Sequence, residues 1–381
     1  MKVTERDFMS ANVAHNDLLH LVDVDDTAQD ASGSSYKCEV QKLGAVLSTV
    51  KNTVFVSKSG NDSTGIVERS DLPFLTIAAA RAALVAYYTG GTAPSSTNRI
   101  RVVVISGTYT EQLVLANYVD WDLTDAIIQS QSSSTEYTID DNNVACNSII
   151  YGAAIIKRSG GNGGCIRTQN SSTILSCTVN SVSSSTLSVT DYAIRCANGT
   201  QYIWVKAGIS TVSTSVYCEA GTQDIHGNVA STTYTAVKAS GGIQYIYGNV
   251  SCANLTGVDC SGGIQYIYGN SSGSNTGVVC SGGTQYIYGN CSATAGKGAS
   301  CSSGTQIIKG RIVTTSTNTD AYIQTGGTAI LDSCTLIATG TGKSISNSST
   351  VKIYGGCQGN NALGSGVTQQ VGTIIIDSSV V

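Results

Sequence analysis

The chain has 381 residues, a formal net charge of −4 and only 12% charged side chains, which argues against nucleic acid or an acidic membrane surface as its main partner. No run of about 18 apolar residues is present, so no membrane span is expected. Glycine is abundant at 42, proline scarce at 2, and a hydrophobic content of 41% argues against a disordered low-complexity chain. Short strands joined by polar turns fit better.

The opening residues, MKVTERDFMSANVAHNDLLH, put no apolar run behind their charges and are not read as a secretory signal. The 13 cysteines are therefore expected as free thiols made in a reducing compartment. No C-x-x-C pair points to a zinc ribbon or a thioredoxin-type site. Residues 1–52 read as a small module of their own. "LLHLVDVDD" and "SSYKCEV" alternate as strands, "TAQDASG" turns between them, and "QKLGAVL" reads as one helical turn. Asp23, Asp25, Asp26 and Asp30 lack the glycine and closing glutamate of an EF-hand loop, so a solvated turn is expected and no metal or cofactor.

Residues 53–160 begin with a strand in "VFVSKSGNDSTG". Pro73 then opens a predicted helix from Leu75 to Ala86, and "RIRVVVISGTYTEQLVL" gives strand, Gly-Thr turn and strand. These stretches, "VFVSKSGNDSTG", "PFLTIAAARAAL" and "VVVISGTYTEQLVL", resemble the start of right-handed parallel β-helices of the pectin-lyase type. In that group a short helix commonly caps the open first rung, and a bare sheet edge needs such a cover. The preceding "NDLLHLVDVDDTAQDASGSSYKCEVQKLGAV" resembles the N-terminal module of fibre and spike proteins from tailed bacteriophages. Together the resemblances cover roughly the first 120 residues. They imply a virion protein, a homotrimer whose N-terminal module joins it to other virion proteins and whose body contacts a host surface glycan or receptor.

Residues 161–381 carry a repeat. "SGGIQYIYGN" occurs at Ser240 to Asn249 and again at Ser261 to Asn270, and "SGGTQYIYGN" follows from Ser281 to Asn290. Indexed by Gln201, Gln223, Gln244, Gln265, Gln285 and Gln306, the spacings are 22, 21, 21, 20 and 21. Such a period marks a solenoid. Ile203, Ile225, Ile246, Ile267, Ile287, Ile308, Leu331, Ile353 and Ile376 form an aliphatic column two residues after the index, with Thr or Ile before it, which is strand alternation. A glycine two places before the index, as in Gly199, Gly242, Gly283 and Gly327, supplies a bend. A second strand precedes the bend and places Cys196, Cys218, Cys260, Cys280 and Cys301 in one column of buried thiols. The index glutamines share the inward face and are expected to bond amide to amide. The expected class is all-β, a parallel β-helix of ~21-residue rungs with an N-terminal attachment module and a helix-capped first rung.

Outward, Tyr202, Tyr245, Tyr266 and Tyr286 form one aromatic column, and Trp204, Tyr247, Tyr268 and Tyr288 its neighbour, with His226 in the gap. An aromatic stripe on a strand face marks an interface with another subunit or a platform for sugar rings. Catalysis by paired carboxylates is the competing possibility. Of 25 acids, 18 lie at or before Asp141; in the repeats the nearest to a cluster are Glu219 and Asp224, with His226 beside Asp224 and Asp191 and Arg195 one rung earlier. Scattered solubilising charges explain these as well, and no polysaccharide depolymerase activity is expected. "GNSSG", Gly269 to Gly273, lacks the strand–turn–helix setting of a nucleophile elbow. "ATGTGKS" has Ile337 where a phosphate loop needs its first glycine.

Overall fold

A computed structural model describes residues 18–23, 34–39, 51–89, 93–130, 136–152, 154–158, 163–184, 192–349, 351–361, 367–371 and 374–376. Near the N-terminus, strands Leu18–Asp23 and Ser34–Glu39 pair antiparallel, with Leu18 opposite Glu39 and Asp23 opposite Ser34. The expected "QKLGAVL" turn and Asp25, Asp26 and Asp30 lie outside the described residues.

The body is a parallel β-solenoid of about 11 turns, each of about 22 residues. In the regular region each turn gives one strand to each of three parallel sheets. The first sheet holds the index glutamines, as in Thr222–His226 and Thr284–Ile287. The second holds short strands such as Val229–Ser231 and Cys291–Ala293, and the third holds the cysteine strands, such as Thr214–Cys218 and Lys297–Cys301. Parallel pairing begins well before the repeat becomes visible in sequence, at Thr53–Val56 against Ile100–Val104. Loops of unequal length between the early strands hide the period there.

The lumen is lined largely by aliphatic side chains. Ile203, Ile225, Ile246, Ile267, Ile287, Ile308, Leu331 and Ile353 are all buried, as are Val216, Val237, Val258 and Val278 of the third sheet. Each such side chain contributes about 1.5–3 kcal/mol of burial. The 12 cysteines whose side chains are described are buried free thiols. Burial alone pushes Cys177 and Cys291 up to about 12, so these sulfurs remain protonated.

Each element of the repeated decapeptide has a place. Gly263 bends the chain into the first sheet at φ 69°, and a Cβ there would stand 2.4 Å from the Gly242 carbonyl oxygen. The glutamine that follows is fully buried and donates Nε2 to the Oε1 of the rung before. The bonds are Gln223 to Gln201 (3.0 Å), Gln244 to Gln223 (2.7 Å), Gln265 to Gln244 (2.8 Å), Gln285 to Gln265 (2.8 Å) and Gln306 to Gln285 (2.7 Å). The second amide hydrogen reaches a backbone carbonyl on the same turn, as from Gln244 to Lys238 O at 3.2 Å. The Tyr322 hydroxyl closes the row on Gln306 Oε1 at 3.0 Å. The final asparagine does similar work at the corner between the first and second sheets. Asn228 Oδ1 accepts the Asn249 N–H, Asn249 that of Asn270, and Asn270 that of Asn290, at 2.9–3.0 Å.

The expected helix forms over Ile77–Thr89, not from Leu75. Thr76 is its N-cap, its Oγ1 accepting the Ala79 N–H at 3.1 Å. Asp62 accepts from Leu75 and Thr76, and Glu111 from Ile77 and Ala78, so the first-turn donors are satisfied. The helix lies against Thr53–Val56 with Ile77, Ala80 and Leu84 buried, covering the first rung.

Candidate functional site: an aromatic stripe on the first sheet

The stripe lies on the outward face of the first sheet. Strand pairing puts Tyr202, Asp224, Tyr245, Tyr266, Tyr286 and Ile307 in one column, and Trp204 with His226 in the neighbouring one. That second column continues through Tyr247, Tyr268 and Tyr288. Alternation forces this arrangement, since the residues between them, Ile246, Ile267 and Ile287, point into the lumen.

The rings stack on one another. Trp204 and His226 stand 5.1 Å apart, His226 and Tyr247 4.3 Å, Tyr247 and Tyr268 4.7 Å, and Tyr268 and Tyr288 5.1 Å, with planes within 14°. In the first column Tyr245, Tyr266 and Tyr286 follow at 4.9 and 4.6 Å. Tyr247, Tyr268 and Tyr288 remain 41–43% exposed. Along these upper rungs the faces are turned to neighbouring rings, so edges and phenolic hydroxyls meet solvent. A sugar lying flat needs a ring face, and those faces are largely occupied.

The candidate acids are held in separate ion pairs. Glu219 accepts from Arg195 Nε at 3.1 Å and Nη2 at 2.5 Å, on an exposed corner after the third sheet. Asp224 Oδ1 lies 2.9 Å from His226 Nε2, but the contact lacks hydrogen-bond alignment and that oxygen has no donor. Burial raises the Asp224 carboxyl above the usual carboxylate range, and the adjacent imidazole opposes the shift. Glu219 and Asp224 are not joined by a shared contact, and Asp191 lies outside the described residues. Among the described residues no group of three or more His, Cys, Asp or Glu is placed to hold a metal.

The acids early in the chain have structural partners. Arg99 pairs with Asp120, Arg101 with Asp122 and Arg167 with Asp140 across neighbouring rungs. Buried Asp141 accepts the backbone N–H groups of Gln169 and Asn170 and the Thr173 hydroxyl. Ser271 of "GNSSG" is buried, donating to Gly277 O at 2.8 Å, and cannot act as a nucleophile in that position. Lys343 and Ser344 of "ATGTGKS" lead into strand Ile345–Asn347, not a helix. A cleft of about 310 Å³ lies elsewhere, at the end of the second sheet, with Lys157, Ser183 and Ser210 in its lining; nothing in the sequence pattern signalled it.

Comparison of the chain with protein-family profiles, with characterised proteins and with solved structures gives no match.

Proposed function

We propose that the chain is a structural, receptor-contacting fibre of a tailed-bacteriophage virion, acting as a homotrimer whose residues 1–52 attach it to other virion proteins. The observation that carries this is the run of near-identical rungs from Ser240 to Asn290, locked by ladders of glutamine, asparagine and aromatic side chains. Repetition of that kind sets length and stiffness, and the rung that departs from it places Asp224 beside His226 rather than beside the second carboxylate that paired-acid hydrolysis needs. The stripe of Tyr245, Tyr247, Tyr266, Tyr268, Tyr286 and Tyr288 serves as the contact surface through its ring edges and phenolic hydroxyls, toward a neighbouring copy or a host surface glycan.

A depolymerase is the second reading, with Glu219, Asp224 and His226 as its candidates. The Arg195 pair on Glu219 disfavours it.

Light scattering at micromolar concentration is expected to return a trimer mass, and particles carrying a label on the C-terminus are expected to show it at the distal end of a fibre. A monomer mass together with unlabelled particles overturns the proposal. Release of sugar from host capsule, lost in Glu219→Gln, would install the second reading instead.

A further inference from the structure

One rung of the stripe is unlike the rest. In the column Tyr202, Asp224, Tyr245, Tyr266, Tyr286, a carboxylate stands where every neighbour carries a ring. Tyr266 has both faces covered by rings, and Tyr286 has one covered by Tyr266 and Ile307 next in the column on the other side. Tyr245 stacks only upward, on Tyr266, and Tyr202 leans on Trp204 at 6.4 Å. No ring stands at 224 to stack on the faces of Tyr202 and Tyr245 that look toward that rung.

The gap has definite dimensions. Tyr202 and Tyr245 are two rungs apart, about 9.6 Å at ordinary strand spacing. The neighbouring column crosses the same two rungs in steps of 5.1 and 4.3 Å. A group centred between the rings therefore sits about 4.8 Å from each, within the range of a cation over an aromatic face. A flat guanidinium would be too thin to touch both rings at once, whereas a rounded alkylated ammonium fills the space. The floor is the Asp224 carboxylate, 20% exposed, whose buried Oδ1 lies 2.9 Å from His226 Nε2. One wall is the His226 imidazole, fixed between Trp204 and Tyr247.

We propose that the notch between Tyr202 and Tyr245, floored by Asp224 and walled by His226, is a binding site for a quaternary ammonium group. The two tyrosine faces supply cation–π attraction and the carboxylate supplies the counter-charge. His226 holds the carboxylate in place while the site is empty. Nothing in this assignment depends on a virion or a trimer, so it stands or falls apart from the fibre reading.

The test uses tetramethylammonium as probe and neopentyl alcohol, its neutral near-isostere, as control, with binding followed by calorimetry and by the Tyr and Trp resonances of the full chain. Wild-type chain is expected to bind tetramethylammonium at least tenfold more tightly than the alcohol. Asp224→Asn is expected to weaken it roughly tenfold, and Tyr245→Leu comparably. Asp224→Tyr should abolish binding while raising the melting temperature, because the added ring completes the column. Leu255→Ser, at an exposed position outside the stripe, should leave binding unchanged. Equal affinity for the neutral isostere, undiminished binding by Asp224→Tyr, or no binding by a cooperatively melting wild-type chain overturns the proposal.

Discussion

At the scale of single residues, an outward position on the third sheet is a point of stored cost. Asp259 pairs in register with Lys238 below and Val279 above, is half-buried, and has one carboxylate oxygen with no donor. Burial raises its carboxyl above the usual range, against the opposing effects of Lys238 and Ser281. A carboxyl raised on folding adds stability that is fully present below its unfolded value, near 3.8, and that is lost as pH climbs through the folded value. Asp259→Asn is therefore expected to match the wild-type stability near that lower limit and to exceed it at neutral pH by about 1 kcal/mol, read as a higher melting temperature. Equal melting at both pH values would count against the assignment. Positions such as Ile267 and Gln265 were legible in the sequence because the same chemistry recurs at one spacing. The partnerships of Asp120, Asp122 and Asp140 with arginines were not, since they cross rungs whose loops differ in length.

At the scale of elements, the amide row is the part most exposed to a single change. Replacing Gln265 by Leu removes the donor to Gln244 Oε1 and the acceptor of Gln285 Nε2 together, stranding two buried groups. The loss is expected to be on the order of 3 kcal/mol, read as a lower denaturant midpoint. An unchanged midpoint would mean that the row is geometry without energetic weight. The glutamine row was legible as a prediction, and its direction was not. The asparagine row went unread although Asn228, Asn249, Asn270 and Asn290 recur at the same period. A Gly-Asn pair looks like an ordinary turn until the corner's N–H groups are seen to need acceptors. Asp224 was legible as an acid, but weighing it beside Glu219 concealed its meaning, which comes from the ring that is missing there.

At the scale of the whole molecule, rungs that contact only their neighbours should be removable. Deleting residues 244–264 joins Ile243 to Gln265 and restores the same strand, because adjacent glutamines are 21 residues apart. The shortened chain is expected to keep its β-sheet circular dichroism and to lose about 4.8 Å of length, with stability reduced by about one rung interface. An unfolded or aggregated product would show that the turns are not independent. The stacked body was legible from period, alternation and the bend glycines, and the earliest turns emerged only from strand pairing.

The amide row also gives the rod an electrical direction. Every glutamine from Gln223 to Gln306 points its N–H toward the earlier turn and its carbonyl toward the later one, so the side-chain dipoles add instead of cancelling. The positive end lies at Gln201 and the negative end is quenched by the Tyr322 hydroxyl. Each amide polarises the next, and reversing any one of them would set donor against donor on one side and acceptor against acceptor on the other.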